Sequence, residues 1–237
     1  MIKGRISRVG AVLLNSPAFV LQAEFRVTRT RIKICGITNH EDATNAVACG
    51  ADALGFNFFK GSVRYISLEK AAEICAEVPA FVATVGLFVN EPLADVNRII
   101  RTLRLGLAQF HGDETPEYCE ALGVPYMKAL RATSGYQIKV EAQLFESARA
   151  ILVDTATDGQ FGGTGKTFDW GMLPDLGRPL VLAGGLDATN VGAAIAATHP
   201  YAVDVSGGVE RMRGVKDVAK MKNFVEAVRS ADRSNNE

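Results

Sequence analysis

The side chains best suited to chemistry stand at the ends of short apolar runs. Cys35 closes "RIKIC" just before Gly36, and Asp154 closes "AILVD". A thiol at that place could be a small core residue, a metal ligand, a nucleophile or a proton carrier. A carboxyl beside apolar walls is a natural general acid, because desolvation favours its neutral form. The plainer alternative is an aspartate that ends a strand and caps the next turn. Arg64, in "GSVRYIS", could fork a carboxylate or phosphate, or simply be solvated. His111, in "QFHGDE", could be a buried neutral ring satisfied by backbone, or could bind substrate and carry protons. Three glycine clusters, "GGTGK", "AGGL" and "SGGV", follow three successive runs. Glycine lets backbone approach a ligand closely and aim N–H groups at an anion, so these loops are expected to hold a phosphate. They do not form a nucleotide P-loop: the glycine required five places before Gly165 is Gln160.

The elements that would position these residues repeat along the chain. Eight apolar, β-branched runs occur: "RIKICG", "ADALGFNF", "VATVGLFV", "GLAQFHG", "PYMKALR", "ARAILVDT", "PLVLAGG" and "AVDVSGG". Helix-period segments separate most of them. Leu93, Val96, Ile99, Ile100 and Leu103 share one helical face; so do Val218, Met221, Phe224, Val225 and Val228. Near-continuous apolar strands alternating with helices predict a parallel sheet covered by helices. A spacing of roughly 26 residues per unit suits a single (β/α)8 barrel; a doubly wound open sheet is the alternative. The sixth connection, residues 156–167, is Gly-rich and carries no helix pattern. In a barrel, functional groups gather at the C-terminal ends of the strands. Cys35, His111, Arg131, Asp154, Gly184, Gly185 and Ser206 all hold such ends.

Bulk properties exclude several classes. The 237 residues carry 26 basic and 26 acidic side chains, a balance that argues against nucleic acid as a partner. No apolar run reaches the ~18 residues that span a bilayer. The four cysteines have neither C-x-x-C spacing nor a histidine at zinc-ligand spacing, so no metal is expected and a reducing cytoplasm fits best. Cys49, Cys75 and Cys119 fall inside helix patterns and read as small core residues, His40 and His199 as cap and surface residues. Residues 1–30 are basic, with Glu24 the one acid, and are expected to be a disordered extension, a targeting segment or an over-extended start before Val27. The barrel domain is expected to run from 31 to 237, with the polar tail "RSADRSNNE" fraying.

Together "KICGIT", "GFNFFKGSVRYIS", "QFHGDE", "LVDT", "GGTGKTFDW", "LAGGL", "DVSGGVE" and "GVKD" resemble the phosphoribosylanthranilate isomerase family of tryptophan biosynthesis, over residues 31 to about 228. The resemblance implies a (β/α)8 barrel that needs no cofactor or metal and performs an Amadori rearrangement on a small-molecule substrate, as a cytoplasmic monomer or homodimer. It further implies that Cys35 is the general base and Asp154 the general acid. Arg64 would hold the anthranilate end, with His111 and Asp204 near the sugar. The backbone of Gly163, Gly165, Gly184, Gly185, Ser206 and Gly207 would receive the phosphate. One departure is Gly207, where the family commonly has a second serine. Two alternatives share the fold. A histidine-pathway aminoaldose isomerase would carry aspartate where Cys35 stands, and a non-catalytic phospho-ligand-binding barrel would bind without turnover. Indole-glycerol-phosphate synthases also share the barrel, but their lysine-rich active site is not visible in this chain.

Overall fold

The computed structural model describes residues 29–132, 134–154 and 169–235. Eight strands, β1 (Arg31–Cys35), β2 (Ala53–Asn57), β3 (Ala83–Phe88), β4 (Leu107–Phe110), β5 (Tyr126–Arg131), β6 (Ala150–Asp154), β7 (Leu180–Ala183) and β8 (Ala202–Val205), form a closed barrel in chain order. All eight neighbouring pairs are parallel, and closure between β1 and β8 rules out the open-sheet alternative. Each expected run became a strand.

Helices α1 (His40–Cys49), α2 (Leu68–Cys75), α3 (Leu93–Leu103), α4 (Pro116–Glu120), α5 (Gly135–Leu144), α6 (Val191–Thr198) and α7 (Val218–Ser234) coat the outside. Most open on a polar cap. Asn39, Ser67, Thr115, Ser134 and Asp217 each accept a hydrogen bond from a first-turn backbone N–H. Such caps satisfy orphaned donors and stop the preceding loop cleanly. His40 opens α1 and pairs with Glu77, while His199 caps α6 in left-handed geometry. Between β6 and β7 the described residues contain only a short 3-10 turn, Trp170–Met172. The Gly-rich segment 156–167 lies outside the described residues.

Strand alternation creates two cores. Outward side chains such as Ile34, Leu54, Phe56, Phe88, Phe110 and Ile151 pack against helices, joined by Phe224 and Val228 of α7. Each fully buried side chain of this size contributes about 1.5–3 kcal/mol. Inward side chains form a smaller apolar plug: Val85, Met127, Ala129, Ala150, Leu152, Val181, Ala183 and Ala202. In β1 the parity puts Ile32 and Ile34 outside, and Lys33 and Cys35 inside.

Two boundaries move. The tail is helical through Ser234 rather than frayed. Asp232 accepts from Thr30 N at 2.9 Å and Thr30 Oγ1 at 2.7 Å, tying the last helix to the first strand. Arg29 reaches Asp52 with two nitrogens, at 2.7 and 2.5 Å. Arg29 and Thr30 therefore pack on the barrel, although composition grouped them with the extension. Residues 1–28 lie outside the described residues.

Candidate active site

Cys35 ends β1 on the inner wall and is 6% exposed. Gly36, at φ +79°, turns the chain away directly after it. A side chain on Gly36 would strike the Arg64 Cδ at 2.6 Å, so glycine there lets Arg64 lie across the mouth. Beneath the sulfur, Lys33 donates to both oxygens of Asp204, at 2.9 and 3.0 Å. The pair is buried, and β1–β8 register sets the two residues side by side. Burial would pull the Lys33 ammonium down, but the Asp204 carboxylate overcomes it and the net direction is up, so Lys33 stays charged. Burial pushes the Cys35 thiol up; Lys33 opposes this, Asp204 adds to it, Lys216 opposes it, and the net direction is up. Cys35 in the free protein is therefore a neutral thiol at neutral pH.

Across the mouth, Asp154 ends β6 and pairs with His111: Nε2 to Oδ2 is 3.3 Å. The other ring nitrogen, Nδ1, lies 3.2 Å from the Gln109 amide nitrogen. With that amide donating, the ring proton sits on Nε2 and points at Asp154. Gln109 is fully buried, and its Oε1 has no hydrogen-bond partner. Arg131, at the end of β5, stands in register with Asp154.

Arg64 is already forked. Its Nε and one Nη reach the Glu210 carboxylate at 2.7 and 2.8 Å. Glu210 comes from β9 (Glu210–Met212), half of a small antiparallel hairpin with β10 (Val215–Lys216) inserted after β8. Lys216 Nζ binds Glu210 at 2.9 Å, the Cys35 carbonyl at 2.6 Å and the Ser206 carbonyl at 3.2 Å. Burial alone would raise the Glu210 carboxyl, but Arg64 and Lys216 hold it below the usual range.

Gly184 and Gly185 follow β7 with φ of +90° and +63°. Gly207 begins a 3-10 turn, Gly207–Val209, after β8. The Ser206 hydroxyl donates to the Cys35 carbonyl at 3.1 Å, while the Ser206 carbonyl accepts from Lys216. Gly163 and Gly165 lie outside the described residues. The remaining expected residues, Cys35, Asp154, Arg64, His111, Asp204, Gly184, Gly185, Ser206 and Gly207, come from loops and strands that meet at one barrel end. Among the described residues no cluster of three His, Cys, Asp or Glu side chains is placed to hold a metal.

Sequence reasoning assigned no role to Lys33, Gln109, Glu210 or Lys216. Two of them carried a signal. Lys33 lies two residues before Cys35, and Gln109 two before His111, so each must share the inner wall with its neighbour. Glu210 and Lys216 gave no such sign, because a tertiary hairpin brings them in.

The other three cysteines differ. Burial pushes Cys75 to about 11 and Cys119 to about 12, the rise at Cys119 being partly opposed by Lys128. Among the described residues no helix is long and apolar enough to cross a membrane.

A family model described as N-(5′-phosphoribosyl)anthranilate (PRA) isomerase matches residues 32–227. An N-(5′-phosphoribosyl)anthranilate isomerase of Pseudomonas putida is 51% identical over 206 residues, spanning 86% of this chain and 100% of that protein. The phosphoribosyl anthranilate isomerase of Thermotoga maritima superposes with a TM-score of 0.80 at 41% identity, over 85% of this chain and 99% of that one. A structure of such an isomerase with reduced 1-(o-carboxyphenylamino)-1-deoxyribulose 5-phosphate superposes with a TM-score of 0.74 at 37% identity, over 85% and 99% of the two chains.

Proposed function

This chain belongs to the N-(5′-phosphoribosyl)anthranilate isomerase family, and on that premise we propose how its barrel mouth carries the reaction. The enzyme is an aldose–ketose isomerase of tryptophan biosynthesis. It converts N-(5′-phosphoribosyl)anthranilate to 1-(o-carboxyphenylamino)-1-deoxyribulose 5-phosphate with no net change in atoms or electrons.

In our reading Asp154 protonates the ring oxygen as the bond from it to C1′ breaks, leaving a protonated Schiff base. That cation makes the C2′ hydrogen acidic. Cys35, in the small fraction ionised beside the Schiff-base cation, removes it as thiolate, and the electron pair moves to the C1′–C2′ bond and neutralises the nitrogen. C1′ then gains a proton while the 2′-hydroxyl loses one and becomes the ketone. His111 orients the Asp154 carboxyl and is the nearest proton carrier to it. The phosphate sits on backbone N–H groups of Gly184, Gly185, Ser206 and Gly207, with Gly163 and Gly165 added from the loop after β6. Arg64, held by Glu210, turns its remaining N–H groups to the anthranilate carboxylate.

The observation that supports this most is the placement of Cys35 and Asp154 at the ends of two non-adjacent strands of one barrel mouth. An acid and a base can then address the sugar from different sides. The deciding assay follows the fluorescence of freshly made phosphoribosylanthranilate as purified protein consumes it. Binding of a product analogue without turnover would point instead to a non-catalytic barrel. Turnover of the histidine-pathway aminoaldose in its place would point to that enzyme class. We place the enzyme in the cytoplasm, with its four thiols unpaired, as a monomer or homodimer that sedimentation distinguishes.

A further inference from the structure

We propose that Lys33 is the positioning residue that makes Cys35 usable as a base: clamped by Asp204, its ammonium rests against the sulfur in a space left open by Gly55. The inference builds on the reading of Cys35 as the base and adds what lets a buried thiol serve as one.

The space comes first. Cys35 and Gly55 are register partners on β1 and β2. A side-chain carbon built on Gly55 would lie 2.8 Å from the Cys35 Sγ and 2.9 Å from the Lys33 Nζ. Sulfur and ammonium thus flank one small void, and any residue but glycine would fill it.

Donor counting comes second. Arg64 faces Cys35 from the loop after β2, but its Nε and one Nη are on Glu210. Lys216 faces it from β10, but its three protons go to the Cys35 carbonyl, the Ser206 carbonyl and Glu210. Asp204, on β8, is the anion on this side, and it accepts from Lys33. An ammonium has three protons. Asp204 takes two of those on Lys33, and the third is free for the sulfur. Arg64 keeps N–H groups beyond that fork, but in the proposed reaction they serve the anthranilate carboxylate, so Lys33 is the inner-wall cation with a proton left for the sulfur.

The energetics agree. Burial is the largest influence on the Cys35 thiol and works against the thiolate, while Lys33 is the largest influence working for it. Asp204 has two opposed effects: it holds Lys33 in place, and its own charge resists ionisation of the sulfur.

This yields a test that a merely structural ion pair would fail. Lys33→Met and Asp204→Asn both break the ion pair and both destabilise the fold. They should move the titration of Cys35 in opposite directions. The readout is the pH dependence of iodoacetamide alkylation at the Cys35 peptide, measured by mass spectrometry on free enzyme. Lys33→Met should raise the midpoint by about one pH unit or more, a tenfold loss of thiolate at neutral pH, and raise the acid limb of kcat/KM equally. Asp204→Asn removes the negative charge but keeps an amide oxygen that can still accept from Lys33, so it should lower the midpoint. Lys33→Arg should restore part of the shift. Gly55→Ala, with both charges intact, should slow alkylation and raise the midpoint, which keeps the test open if Lys33→Met fails to fold. Shifts in the same direction for the two halves of the pair, or an unmoved midpoint in Lys33→Met or Gly55→Ala, would overturn the proposal. Alkylation requires no turnover, so it is separate from the base assignment, whose own failure would appear as normal turnover in Cys35→Ala.

Discussion

At the scale of single residues, the acid and the base should be separable from binding. General acid–base groups contribute about 10²–10⁴-fold each. Cys35→Ala and Asp154→Asn should each lower kcat by that order while KM and thermal stability change little. Cys35→Asp can still accept a proton and should retain more activity than Cys35→Ala. Near-normal turnover in Cys35→Ala would make the cysteine a core residue, with His111 the next base to test. In the proposed reaction Arg64 would have two duties, since its fork already balances buried Glu210. Arg64→Ala is expected to cost about 2–3 kcal/mol in kcat/KM, the range of a charge-assisted hydrogen bond. A substrate analogue without the carboxylate should feel less of that loss. Equal losses for both substrates would assign the whole effect to the Glu210 contact.

At the scale of elements, the loops matter as much as the strands. Glu114 is buried and accepts from Asn90 N at 2.8 Å, Gly112 N at 2.9 Å and Lys128 Nζ at 2.9 Å. It therefore staples the loops after β3 and β4 to the outer face of β5, and the second of those loops begins with His111. Breaking a buried pair by removing one partner costs about 3–5 kcal/mol, because the other charge is stranded. Glu114→Ala should lose that much in urea unfolding. It should also lower kcat through a misplaced His111, although Glu114 has no contact with substrate in this reading. Full activity in a destabilised Glu114→Ala would show that the staple serves folding alone. The β9–β10 hairpin has a parallel role, delivering Glu210 and Lys216 behind Arg64 and Cys35.

At the scale of the whole molecule, acid stability and the N-terminal segment can be tested. Glu210 and Asp52 are both held below the ordinary carboxylate range in the folded state, Glu210 by Arg64 and Lys216 and Asp52 by Arg29 and the Ile32 N–H, in each case against burial. In the unfolded chain such groups titrate near about 4. Their stabilisation is therefore complete above that pH and is lost as pH falls through the lower folded values. Unfolding free energy should decline below about pH 4 for this reason, and Glu210→Gln should flatten the decline. An identical pH profile in that variant would remove Glu210 from the explanation. We also propose that the segment before Val27 is dispensable. The family match begins at residue 32, and the first described contacts to the barrel come from Arg29 and Thr30. Deletion of residues 1–26 should leave kcat/KM and solubility unchanged; loss of either would make the segment part of the fold.

The linear sequence by itself determined the eight strands, the helices between most of them and the strand ends that bear Cys35, His111 and Asp154. Those features are local. Apolar runs and helical periodicity are set by neighbours in the chain, and alternation along a strand already puts Lys33 beside Cys35 and Gln109 beside His111. Only the tertiary structure decided which groups meet. Lys33 and Asp204 are 171 residues apart and become partners through the register that closes β1 on β8. Arg64 and Glu210 are 146 apart and meet through a hairpin with no apolar signature of its own. The polar tail looked free because its sequence is hydrophilic, yet Asp232 is anchored by a backbone N–H and a hydroxyl at the start of β1. Charge pairing across a barrel depends on register and closure, and these are properties of the assembled sheet rather than of any stretch of residues.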